Sequence, residues 1–146
     1  MKVSTRARYG VRLMFELALG YGNGLQLLKE IARKQEISEK YLSQIIIPLK
    51  AKGFVRSGRG MRGGYMLAQD PQQITVAEIV EALEGNFDIV ECVDRPSVCR
   101  RASLCVARDI WVTLKEKMYD TLRSITLQDL VDMYREKKEG VMMYNI

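Results

Sequence analysis

The sequence predicts a mainly α-helical chain with one small β-hairpin, and three observations carry that reading. Two short amphipathic stretches lie between Leu27 and Lys52, joined by a tight turn. A glycine- and arginine-rich hairpin pattern follows directly, over residues 54–68. A long apolar stripe then runs from about Leu104 to Ser124. In that order they spell a winged helix-turn-helix with a long dimerisation helix, divided as a reading domain (1–85), a cysteine-bearing loop (86–105), and a dimerisation helix with a short C-terminal helix and tail (106–146).

At the start of the chain, Ser4 or Thr5 can cap a helix to about Leu19, whose packing side is Tyr9, Leu13, Met14, Leu17 and Ala18, with Gly20, Gly22 and Gly24 ending it. Arg6, Arg8 and Arg12 cluster near its beginning. Cations there oppose the helix dipole, so phosphate contact explains them better than helix stability does.

In the stretch from Leu27 to Gln35, Leu27, Leu28, Ile31 and Ala32 share one face while Lys29, Glu30, Arg33 and Lys34 take the other. Glu36-Ile37 forms the turn and Ser38 the next N-cap. Tyr41, Leu42, Ile45, Ile46 and Leu49 then turn inward, leaving Glu39, Lys40, Ser43, Gln44 and Lys50 outward. The N-terminal end of such a helix can reach base edges in a major groove. Pro48 conflicts with a regular interior at a cost of roughly 3 kcal/mol. A kinked helix to Lys52, stopped by Gly53, accommodates it.

Phe54–Ser57 and Tyr65–Ala68 read as the two strands of the wing, around a loop at 58–64 whose four glycines would let backbone approach a phosphate. Arg56, Arg59 and Arg62 supply charge for phosphate oxygens or a narrow minor groove. After Pro71, Thr75 and Glu78 make a capping box for a short helix to Gly85, expected to pack under the wing. Residues 86–104 lack any apolar period and read as loop. In the long helix beyond, Ala107, Trp111, Leu114, Met118, Leu122 and Ile125 form a stripe too large for a lone helix and suited to a symmetry mate. Thr126 to Asp129 caps a last helix with Leu127, Leu130, Val131 and Tyr134 inward and Arg135, Lys137 and Lys138 near an end set by Gly140. A sticky tail, residues 141–146, closes the chain.

The composition narrows the function. With 146 residues and 47% apolar content the chain can bury a core. No apolar run approaches the length of a membrane span and no signal-peptide pattern precedes the first helix, so the cytoplasm is the expected compartment. The net charge of +5 is unevenly spread: residues 1–64 hold 13 Lys and Arg against 4 Asp and Glu, whereas the remainder holds 10 against 14. The basic half coincides with the expected reader of double-stranded DNA, as counterion release requires. No histidine, C-x-x-C or phosphate-binding glycine loop is present, which argues against an enzyme.

Cys92, Cys99 and Cys105 are spaced C-x6-C-x5-C. An odd count in a reducing compartment disfavours a disulfide framework, and zinc sites favour tighter pairs with four ligands. Thiolates on an irregular segment suit an iron–sulfur cluster better, while simple free cysteines fit the spacing equally well.

Four separated motifs, Met1 to Gly10, Glu36 to Leu42, Arg59 to Tyr65 and the cysteine triad followed by Trp111, together resemble the IscR/NsrR/CymR-type transcription regulators over nearly the whole chain. That resemblance implies a homodimer with a long crossing helix from each subunit. It places Ser38, Lys40, Tyr41, Ser43, Gln44 and Arg59 at palindromic operator DNA. Cys92, Cys99 and Cys105 become ligands of a 2Fe–2S or 4Fe–4S cluster that modulates affinity. Two departures stand out. Arg108 occupies the place of a histidine ligand, leaving the fourth ligand open among Asp109, Glu91, Asp94, a partner group or an exogenous thiol; Ser43 replaces a glutamate that faces bases. CymR-type members lack the triad but share a tail ending in isoleucine. The resemblance therefore admits a cluster-free repressor of cysteine metabolism, in which Tyr144-Asn145-Ile146 docks to cysteine synthase or folds back on its own dimer.

Overall fold

The computed structural model describes residues 2–59 and 63–145. Helix α1 (Thr5–Leu19) starts at Ser4, whose hydroxyl accepts the Ala7 N–H, and ends at Gly20. Helices α2 (Leu28–Gln35) and α3 (Glu39–Ala51) form the helix-turn-helix. Glu36 closes α2 in the left-handed region at φ 54°, a cost a tight turn between two packed helices can carry. Ser38 caps α3 through the Tyr41 N–H, and Pro48 sits inside it. Gly53, at φ 81°, turns the chain out of the helix as expected.

The wing is an antiparallel pair, β1 (Val55–Gly58) and β2 (Gly64–Leu67), in the register Val55 opposite Leu67 and Gly58 opposite Gly64. It is anchored from the side by Gln26, which exchanges both backbone hydrogen bonds with Tyr65 at 2.8 Å. This contact changes the meaning of the wing glycines. A Cβ on Gly64 would lie 2.5 Å from the Gln26 carbonyl oxygen, and one on Gly58 would lie 2.3 Å from the Leu25 side chain. The Leu25–Gln26 segment passes against both, so the space a side chain would need is already occupied within the chain.

A 3₁₀ turn at Pro71–Gln73 leads to α4 (Val76–Glu84), which has the predicted capping box of Thr75 and Glu78. This helix packs on α1, α3 and the later α6, correcting the expectation that it lies under the wing. Its approach to α1 is set by Gly10, where a Cβ would meet Leu83 Cδ1 at 2.1 Å. The cysteine region holds a short helix α5 (Glu91–Asp94) and a 3₁₀ turn Pro96–Val98, more structure than the expected loop. Helix α6 (Val106–Arg123) follows, then α7 (Leu127–Tyr144).

α7 begins with the second capping box, Thr126 and Asp129. The starts of α4 and α7 are stitched together, Val76 N–H to Ile125 O at 2.8 Å and Leu127 N–H to Ile74 O at 2.9 Å. Gly140 does not end this helix, which continues to Tyr144, so Arg135, Lys137 and Lys138 lie mid-helix and the tail through Tyr144 is helical. One hydrophobic core joins α1 (Leu13, Met14, Leu17), α3 (Leu42, Ile45, Leu49), Ile74, Ile79 and α7 (Leu127, Val131). Each fully buried large side chain contributes about 1.5–3 kcal/mol. No helix among the described residues is long and apolar enough to cross a membrane.

Candidate nucleic-acid interface

Helix periodicity decides what α3 shows to solvent. With Leu42, Ile45, Ile46 and Leu49 buried, Lys40, Ser43, Gln44 and Ile47 are exposed on the opposite side. These residues serve no core. Their polar groups differ in what they have left to offer: Ser43 Oγ donates to the Lys40 carbonyl at 2.6 Å and retains only acceptor capacity, whereas Gln44 has no hydrogen-bond partner among the described residues. Ser38 is exposed too, its oxygen accepting the Tyr41 N–H at 3.3 Å.

The first turn of α1 comes alongside. Thr5, Tyr9, Ile37, Ser38, Tyr41 and Gln44 line one shallow depression. Tyr9 meets the half-buried Tyr41 edge to face, ring centroids 5.8 Å apart, which fixes α1 against the start of α3. Thr5 and Tyr9 therefore share a surface with Ser38 and Gln44 that the sequence did not reveal, since Tyr9 reads there only as a packing residue and Thr5 only as a cap. A threonine and a tyrosine at a helix start carry no sign of a partner 30 residues away.

The arginines fall into two groups. Arg6 and Arg8 are exposed, Arg8 donating to Thr5 Oγ1 at 3.1 Å with its guanidinium 5.9 Å from the Tyr9 ring centroid. Arg12 is engaged instead in a structural chain: its Nε donates to Gln35 Oε1 at 2.8 Å, a second nitrogen donates to the Gln35 carbonyl, and Gln35 Nε2 donates to the buried Glu16 at 2.6 Å. Arg56 is exposed on β1 and Arg59 just beyond it, while Arg62 lies outside the described residues. Lys50 Nζ donates to Ser57 Oγ at 2.7 Å, tying the end of α3 to the wing. The N-terminal half thus brings the outward face of α3, the first turn of α1 and the base of the wing into one positively charged, rigidly backed surface, suited to a polyanion with a groove.

The cysteines are arranged differently. Cys92 lies half-buried on α5, Cys99 exposed after the 3₁₀ turn, and Cys105 half-buried as the N-cap of α6; all three are free. Soft thiolates suit iron, but among the described residues no three Cys, Asp or Glu side chains come together as a metal-binding group. As folded, these donors do not form a ready-made site for a single ion. Arg108 is spent elsewhere, its Nε donating to the Cys92 carbonyl at 2.9 Å and its Nη2 to the Val93 carbonyl at 3.3 Å. Lys115 pairs with Asp94 and lies 3.8 Å from Asp88. The hydrogen bond between those two carboxyls raises Asp88 above the usual carboxylate range, and the same bond, with Lys115, lowers Asp94. Arg108 and Lys115 therefore strap α5 to α6 by charge.

The chain is similar to known transcriptional regulators. The Rrf2 family model, described as an iron-dependent transcriptional regulator, matches residues 3–133. The HTH-type transcriptional regulator CymR of Bacillus subtilis is 37% identical over 144 residues, covering 99% of each chain. The solved structure of CymR, the global cysteine regulator of B. subtilis, superposes with a TM-score of 0.78 at 38% identity, over 91% of this chain and 98% of that one. T. potens IscR superposes equally well, TM-score 0.78 at 38% identity, over 94% and 90%.

Proposed function

The chain belongs to the Rrf2 family of transcriptional regulators, which are not enzymes, and from that premise we propose that it reads a palindromic operator as a homodimer. DNA binding follows from the family. One observation supports its location: on the outward side of α3, Ser38, Lys40, Ser43 and Gln44 are exposed, polar and unclaimed by the core. In this reading Ser38, Lys40, Tyr41, Ser43 and Gln44 meet base edges and neighbouring phosphates, with Gln44 the group best able to form a bidentate pair with adenine. Arg6, Arg8, Arg56, Arg59 and Arg62 neutralise backbone phosphates. A dimer is supported by α6, none of whose residues is fully buried by its own chain. Two α3 helices related by a twofold axis would sit about one turn of DNA apart. Selection from random duplexes tests this directly: a twofold-symmetric enriched site is expected, and enrichment of no sequence removes the reading.

The finer part of the proposal is the signal. An iron–sulfur cluster on Cys92, Cys99 and Cys105 would make operator affinity depend on the state of residues 92–105, and the family's iron dependence and the three free thiols support it. Anaerobic purification with iron and sulfide counted per chain tests it: a coloured protein is expected, with the colour lost on replacing any one cysteine by alanine.

A second reading is a cluster-free, CymR-like repressor acting through a partner enzyme such as cysteine synthase. Its support is the likeness to CymR over 99% of both chains and the exposure of Val141, Met142, Met143 and Tyr144 at the chain's end. A colourless protein that still selects an operator is its signature. Unchanged affinity for cysteine synthase after removal of the last four residues would dispose of the docking role.

A further inference from the structure

Ile47 is 64% exposed and is the only exposed large apolar side chain on α2 or α3 among the described residues. Nothing local accounts for it. Its neighbours Ile45 and Ile46 are 1% and 2% exposed, so the core is already served from this segment. A β-branched residue is a weaker helix former than lysine or glutamine. It also precedes Pro48, and the residue before a proline is disfavoured in the helical conformation. An exposed isoleucine at this position is thus costly on two counts, hydration and propensity, in a place the following proline already makes unfavourable for a helix.

Its place on the helix supplies the compensation. Ile47 lies three residues after Gln44, four after Ser43 and seven after Lys40, on the same stripe of the same helix. Gln44 and Ile47 are separated by about 4.5 Å along the axis, between one and two base-pair steps of about 3.4 Å. Resting on the DNA-binding reading above, we propose that Ile47 is a specificity-determining residue that packs on the C5-methyl group of a thymine in each half-site, one or two base pairs from the pair read by Gln44. A thymine methyl is the one apolar group in the major-groove code.

The test removes each side of the contact separately. Selection from random duplexes with the wild-type dimer is expected to enrich a thymine at one position per half-site, and with Ile47→Ser that preference disappears while the rest of the site survives. Replacing that thymine by deoxyuridine, which deletes only the methyl, should weaken wild-type binding about four-fold per half-site, the value of one buried methyl. Ile47→Ser should be indifferent to the exchange, and Ile47→Val should keep most of the preference. Because deoxyuridine alters only the DNA, a folding defect cannot mimic the result. A selected site in which no thymine is sensitive to uracil, or whose sequence is the same for Ile47→Ser, overturns the proposal and leaves the DNA-binding reading standing. Selection of no sequence by the wild type overturns both.

Discussion

The first 83 residues and the 43 that follow them are organised by different physics. In the first part Leu13, Met14, Leu17, Leu42, Ile45, Leu49, Ile74 and Ile79 are essentially inaccessible to water, and the starts of α1, α3 and α4 are closed by side-chain caps. From Glu84 to Thr126, no residue is buried at all. Leu104, Val106 and Ile110 are 89%, 78% and 60% exposed, and α5 is held to α6 by the charged straps of Arg108 and Lys115. A region that must present one rigid face to DNA has its stability built in. A region whose Leu104, Val106 and Ile110 stand in water, while Trp111, Leu114 and Met118 are only half-covered, offers an apolar surface suited to a second copy of the chain.

The sharpest way to break this contrast is at α6. Leu114→Asp or Met118→Asp should convert the dimer to monomers on a sizing column coupled to light scattering, with the reading domain still folded by circular dichroism; an intact dimer would mean the stripe is covered in some other way. Next in size is Gly10→Ala, which drives a methyl into Leu83 in the closed half. Chemical denaturation should show a loss of about 1–3 kcal/mol, the usual cost of overpacking, and a neutral result would show that α1 and α4 can slide apart. Arg59→Ala should leave stability alone, weaken operator binding and reduce the salt slope by about 1, as expected for one lost phosphate contact; an unchanged slope would take Arg59 off the backbone. Smallest is Arg95→Ala. Its pairing with Glu91 is 68% and 61% exposed, so the melting curve should not move beyond about 0.5 kcal/mol, and a larger shift would show the cysteine segment to be more tightly built than its exposure suggests.

Where sequence reasoning succeeded, the physics was short-ranged. The Ser38 cap, the Thr75/Glu78 and Thr126/Asp129 boxes and the Gly53 stop each operate within three or four residues, so their chemistry is visible in the string itself. Gly140 shows the limit of the same logic. A glycine is a strong stop where its own φ turns positive, as at Gly53; at about 1 kcal/mol relative to alanine it is tolerated where the chain simply continues, as α7 does to Tyr144. The wing glycines mislead for another reason: at Gly58 and Gly64 the close neighbour is Leu25 and Gln26, more than 30 residues earlier.

Helix positions, inward faces and the split of charge between the two halves are written in the residue order, because propensity, capping and periodicity act over a turn or two. Three things waited for the chain to close on itself. Thr5 and Tyr9 joined Ser38 and Gln44 around one depression, Gly10 admitted Leu83, and Arg108 was drawn onto the Cys92 and Val93 carbonyls. Each of these depends on distances between segments far apart along the chain. Packing sets such distances, and no local rule contains them.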